Sequence, residues 1–92
     1  MISRNKIKTI KSLEHKKYRL ASGLFLAEGK KLVSALLNSE IRIETLISTP
    51  QNLASFQPVH TEIKEITEAS EEEIRQASLL KNPQGCLALC RI

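Results

Sequence analysis

Residues 24–37, LFLAEGKKLVSALL, read as a strand, a glycine turn and a helix. Leu24, Phe25, Leu26 and Ala27 form a short apolar run of the length expected for a buried strand. Glu28-Gly29 ends it, with the glycine free to make a tight junction. Leu32, Val33, Leu36 and Leu37 then recur at helical spacing.

Downstream the pattern repeats. Ile41, Ile43, Leu46 and Ile47 mark a second strand that Pro50 stops. Residues 51–58, QNLASFQP, suit a short helix or a loop. Val59, Ile63 and Ile66 outline a third strand, and Thr67–Ser70 a cap region. Ser70 and Glu73 stand at the N-cap and N3 positions of a capping box, with Glu71 and Glu72 where the helix dipole favours acids. That helix is expected to run through Ile74, Ala77, Ser78 and Leu80 until Asn82-Pro83 ends it. Asn82-Pro83-Gln84-Gly85 fits a β-turn, and residues 86–92, CLALCRI, make a strongly apolar final strand. The order α-β-α-β-(α)-β-α-β implies an α/β fold with helices on both faces of a mostly parallel or mixed sheet. The last strand finishes at the last residue, which reads as the N-terminal part of a longer chain.

Upstream of the deciding stretch the charge is lopsided. The first 31 residues hold 9 of the 14 Lys+Arg and only two acids, Glu14 and Glu28, for a net +7. The other 61 residues carry a net −3. Positive charge gathered at one end points to a negative partner, nucleic acid first. Read as one helix capped by Ser3, the segment sets Ile7, Ile10, Leu13, Tyr18 and Leu20 on one arc. Arg4, Lys8, Lys11, His15 and Arg19 fall on another, a basic stripe of roughly four turns.

The chain has one Tyr, two Phe and no Trp, which argues against an array of stacking rings and in favour of phosphate and sugar contacts. Ninety-two residues suit a single domain. No apolar run reaches the length of a membrane span, and no apolar segment follows the basic N-terminus as in a secretory signal. Cys86 and Cys90, about 13 Å apart on a strand, are too distant for a disulfide. With no matching His pair they are a poor zinc site, and they read as buried thiols of a cytoplasmic protein. His15 belongs to the stripe and His60 to a strand edge. No Gly-rich nucleotide loop or catalytic constellation is present.

Several motifs together carry a resemblance. They are Ser3-x-Asn5-x-Ile7-Lys8, Leu13, Lys17-Tyr18-Arg19 and Gly23-x-Phe25-x-x-Glu28-Gly29-x-Lys31-x-Val33, closing with Asn82-Pro83-Gln84-Gly85 before an apolar strand. In this order they resemble the N-terminal substrate-binding domain of the SpoU (TrmH-type) RNA ribose 2′-O-methyltransferases. The resemblance implies a three-layer α/β/α sandwich similar to the ribosomal proteins that bind kink-turn RNA. It also implies a linker to a knotted catalytic domain that binds S-adenosylmethionine and dimerises. The family's Asn-x-Gly and Ser-Glu-Gly-x-Gly motifs have no counterpart here, so no cofactor is expected in this domain.

The implied role is docking of structured ribosomal or transfer RNA. Arg4, Lys8, Lys11, His15 and Arg19 would meet phosphates, with Lys16 and Lys30 or Lys31 nearby, and Asn5 would add a polar contact. Arg19 has a second assignment, pairing with Glu28. Two other roles stay open: a structural docking module for the chain's own catalytic domain or its dimer, and a free-standing kink-turn RNA-binding protein.

Overall fold

The computed structural model describes residues 2–56 and 62–92. Helices α1 (Arg4–Ser12) and α2 (Lys16–Ser22) precede strand β1 (Leu24–Glu28), α3 (Lys30–Leu37) and β2 (Ile43–Ser48). Then follow α4 (Pro50–Ser55), β3 (Ile63–Glu68), α5 (Glu71–Ala77) and β4 (Cys86–Arg91). The four strands form one sheet in the order β1-β4-β2-β3. β4 runs antiparallel to both of its neighbours, while β2 and β3 are parallel. The sheet is therefore mixed. The third-strand residues Val59 and His60 lie outside the described residues.

Two apolar clusters sandwich the sheet. On one face Ile10, Leu13, Ile74 and Ala77 of the α1 and α5 region pack on Ile47, Leu87 and Leu89. On the other, Val33, Leu36 and Leu37 of α3 pack on Ala27, Leu46, Ala88 and both cysteines. This is the three-layer α/β/α arrangement expected. Each large side chain so buried contributes about 1.5–3 kcal/mol, against about 0–1 kcal/mol for an exposed ion pair. The two clusters, not the surface charges, hold the fold. Central β4 is buried from Cys86 to Cys90, as its unbroken apolar run requires.

The pairing of β2 with β4 slips between Ile43 and Thr45, whose partners Cys90 and Leu89 are adjacent. One extra residue, Glu44, is accommodated there as a bulge. The slip keeps Ile43 and Leu46 with the α3 layer, and Ile47 with the α1 layer.

Local signals fix several element ends. The capping box forms as read: Ser70 Oγ accepts from Glu73 N, and Glu73 Oε1 accepts from Ser70 N, both at 3.1 Å. Ser3 Oγ caps α1 by accepting from Lys6 N at 3.1 Å. Pro50, which ends β2, opens α4 behind the N-cap Thr49. Gly29 has φ +98°, and a Cβ placed there would lie 2.8 Å from Gln84 Oε1.

Three expectations are corrected. The opening segment is two helices, not one. α1 closes in i to i+3 hydrogen bonds from Leu13, Glu14 and His15 back to Ile10, Lys11 and Ser12, and α2 restarts after His15. Tyr18 and Leu20 are consequently exposed, at 45% and 68%, while Ile10 and Leu13 are buried. Second, α5 stops at Ala77 and its C-cap Ser78 is extended at ψ 148°. The Glu28 carboxylate takes hydrogen bonds from Ser78 Oγ at 2.5 Å and Leu79 N at 2.8 Å, which holds the chain out of helix. Third, residues 82–85 bend without a hydrogen-bonded turn. They are held instead from outside, by Asn52 Nδ2 donating to Gln84 O and Thr49 N donating to Gly85 O.

Candidate nucleic-acid interface

On a helix of 3.6 residues per turn, Arg4, Lys8 and Asn5 lie within an arc of about 100°. That arc faces away from the buried Ile10, and all three residues are exposed. The acid-free first turn of α1 sets cations against the helix dipole, a small local electrostatic cost.

The other members of the stripe are dispersed. Lys11 reaches over α5 and donates from Nζ to Ser78 O at 2.7 Å. Arg19 turns inward, and its Nη1 donates to Leu13 O at 2.7 Å and Glu14 O at 3.0 Å. These are carbonyls that the end of α1 leaves without helical partners. Arg19 thus neither joins an unbroken stripe nor forms the Glu28 pair, since Glu28 accepts from Ser78 and Leu79. The continuous stripe is not formed.

His15 and Lys16 stand exposed at the start of α2. The His15 ring meets Tyr18 edge-on, centroids 6.2 Å apart. Lys17 Nζ lies 5.2 Å from the Tyr18 centroid. Lys30 opens α3, whose apolar residues pack on the opposite face of the sheet from α1. It therefore belongs to a different layer from Arg4 and Lys8. Among the described residues, the side chains of Arg4, Lys8, Lys16 and Lys30 enter no hydrogen bond or ion pair with the protein.

Lys6, which was not among the predicted contacts, is committed internally. Its ammonium lies 3.3 Å from both Glu65 Oε1 and Thr45 Oγ1, and holds the Glu65 carboxyl below the usual carboxylate range. Sequence reasoning also missed the exposed pair Lys17 and Tyr18. The signal was the ring's setting among cations in residues 16–19, KKYR, which the helical wheel outvoted.

The cations left over can neutralise phosphates, and among the described residues no proton-transfer or nucleophilic set accompanies them. Among the described residues no three His, Cys, Asp or Glu gather as a metal site. No helix there is long and apolar enough to cross a membrane. Burial pushes the Cys86 and Cys90 thiols up to about 11, which leaves them protonated at neutral pH.

Comparison with known protein families matches residues 4–88 to the MRM3-like substrate binding domain. The chain belongs to this family. Among solved structures, the MRM3-like domain is similar to an RNA methyltransferase of the TrmH family from Porphyromonas gingivalis. That similarity has 33% identity and a TM-score of 0.85, and it covers 99% of this chain but 36% of that one. An rRNA methyltransferase from Sinorhizobium meliloti matches at 27% identity and TM-score 0.63, over 100% of this chain and 35% of that one. The SpoU methyltransferase AviRb from Streptomyces viridochromogenes, solved with S-adenosylmethionine, shares the fold at 14% identity and TM-score 0.68. There the match covers 98% of this chain and 36% of that one. No curated protein matches the chain. The MRM3-like domain thus spans about a third of the length of these methyltransferases, and the resemblance read from its motifs holds along its whole length.

Proposed function

We propose that residues 1–92 form the RNA-docking domain, the N-terminal part, of a SpoU/TrmH-type ribose 2′-O-methyltransferase acting on ribosomal or transfer RNA. The observation that carries this reading is the set of exposed cations without protein partners in a substrate-binding domain. Arg4 and Lys8 on α1 and Lys16 on α2 present their charge to solvent. Lys6, Lys11 and Arg19 in the same segment are used up internally. Phosphate contacts of this kind fix position and orientation without reading sequence. Holding the RNA close converts the encounter with a catalytic site into an effectively intramolecular step.

The chain's three glycines take positive φ at bends between elements, and nothing among its described residues resembles a built cofactor site. In this reading S-adenosylmethionine, and the dimer contact, belong to a knotted catalytic domain outside residues 1–92. That domain is also the protein partner. Lys30, in the other layer, stands outside the main contact surface.

Filter binding of structured RNA across a salt series tests the reading. Changing Arg4, Lys8 and Lys16 together to Glu is expected to weaken binding strongly. The slope of log affinity against log salt should also fall by about one for each phosphate contact removed. Unchanged affinity and slope would reject the docking role.

A second reading has its own observation. Leu32 and Leu80, 51% and 44% exposed, line an apolar groove of about 590 Å³ beside Leu13 and Phe25, which suits a protein surface. It predicts that the isolated domain fails to bind RNA and instead binds the separately produced catalytic domain.

A further inference from the structure

Tyr18 is the chain's single tyrosine, and it packs into neither apolar cluster. The residue is 45% exposed, although a large aromatic side chain gains most from burial. The neighbours of the ring are polar and cationic. Lys17 Nζ stands over it at 5.2 Å from the centroid, and the His15 ring meets it at 65° and 6.2 Å. Lys17 thus stands on one face of the ring and His15 meets it edge-on, and the side chain stays partly open to solvent. Lys16 adds an exposed cation next in sequence, and the only acid before Glu28 is Glu14.

An exposed ring bordered by ammonium groups has the chemistry of a nucleotide site. Its face accepts any base by stacking, and the lysines match the phosphate that comes with the base. We propose that Tyr18 stacks on an unpaired nucleotide of the RNA, whose phosphate is met by Lys16 and Lys17. This inference rests on the docking role and narrows the substrate. The bound RNA must offer a loop, bulge or single strand beside α2, because bases within a continuous A-form duplex are already stacked and their faces closed. The charge around the ring favours RNA over a protein partner.

The test uses the 92-residue chain with a short unstructured RNA and a blunt-ended RNA duplex of equal length, both end-labelled. Fluorescence anisotropy reads affinity. With no Trp in the chain, intrinsic emission reads Tyr18 alone. The unstructured RNA should quench that emission. Tyr18→Ala should weaken its binding roughly 5- to 150-fold, the value of one base stacked on an aromatic ring, while Tyr18→Phe retains it. Circular dichroism should show Tyr18→Ala folded, since the ring supports no core. The duplex should bind without quenching and be indifferent to Tyr18→Ala. If the unstructured RNA binds wild type and Tyr18→Ala equally and leaves the emission unchanged, the stacking site is refuted while docking stands. Equal quenching by the duplex refutes it as well. If neither RNA binds, the docking role and the stacking site fall together, and the exposed ring belongs to a protein contact.

Discussion

Arg19 Nη1 lies 2.7 Å from the carbonyl oxygen of Leu13, six residues back along the chain. The guanidinium also bonds Glu14 O, so one side chain closes the C-terminal end of α1 and sets the turn into α2. Hydrogen bonds to a charged donor contribute about 1.5–3 kcal/mol, less where solvent reaches them. Arg19→Ala is therefore expected to lower stability by about 1–2 kcal/mol, or roughly 4–8 °C in Tm per kcal/mol. RNA affinity measured well below that Tm should hold. Arg19→Lys should recover only part, because the planar guanidinium is preorganised, whereas an ammonium on a flexible stem loses more freedom per hydrogen bond formed. An unchanged Tm together with lost RNA affinity would return Arg19 to the phosphate surface.

Lys8 and Lys11, three residues apart on α1, should separate cleanly. Lys8 is exposed and without a protein partner, whereas Lys11 holds Ser78 O at 2.7 Å. Lys8→Glu is expected to leave thermal unfolding unchanged and to reduce both RNA affinity and its salt dependence. Lys11→Glu sets a carboxylate against that carbonyl and should lower Tm first. The same loss of affinity from both variants, at equal stability, would restore the continuous stripe.

The contrast between these residues shows where sequence reasoning reaches and where it stops. The capping box of Ser70 and Glu73 was legible because donor and acceptor are three residues apart. The Gly29 junction was legible because one backbone geometry decides it, and β4 because burial on both faces demands an apolar run. The break after Ser12 was not. It carries no Gly or Pro, and depends on Arg19 finding Leu13 O. The end of α5 depends on Glu28, fifty residues upstream, and the loss of Lys11 from the stripe on Ser78, 67 residues away. A helical wheel assumes an unbroken axis. Once the axis breaks, residues beyond it change face, as Tyr18 and Leu20 do.

Glu28 joins β1 to the end of α5. Its carboxylate is the acceptor for both Ser78 Oγ and Leu79 N, and Ser78 is 4% exposed. Glu28→Ala leaves both donors without a partner and is expected to cost about 2–3 kcal/mol. Glu28→Gln keeps the shape and one acceptor oxygen, and should cost about half as much. A double-mutant cycle with Ser78→Ala should show a coupling of about 0.5–3 kcal/mol. Strict additivity in denaturant unfolding would mean that the two side chains do not interact.

Glu73 gives stability an acid limb. The backbone N–H of Ser70, then that of Ile2, lowers its carboxyl below the ordinary 4.5. A carboxyl lowered in the folded state favours folding above its unfolded pKa, and that contribution fades as pH falls through the folded value. Tm should therefore decline as pH drops below 4.5, and Glu65, lowered by Lys6, should add to the decline. Glu73→Gln keeps an acceptor for Ser70 N but does not titrate. Its Tm profile should be lower at neutral pH and flatter in acid. An acid limb as steep as wild type would show that Glu73 is not one of its sources.

Cys86 and Cys90 are wholly buried on β4. Removal from water disfavours the charged thiolate and raises both pKa values to about 11. At pH 8 about 0.1% of each thiol is then ionised, and a reagent must still reach the centre of the sheet. Alkylation of the native chain should follow opening of the whole domain, so both thiols should react at one rate that rises as denaturant lowers stability. In full denaturant both should label promptly, in reducing and non-reducing buffer alike, because no disulfide joins them. Fast labelling of either cysteine under native conditions would show that the β4 region opens on its own, independently of the α1 and α3 layers.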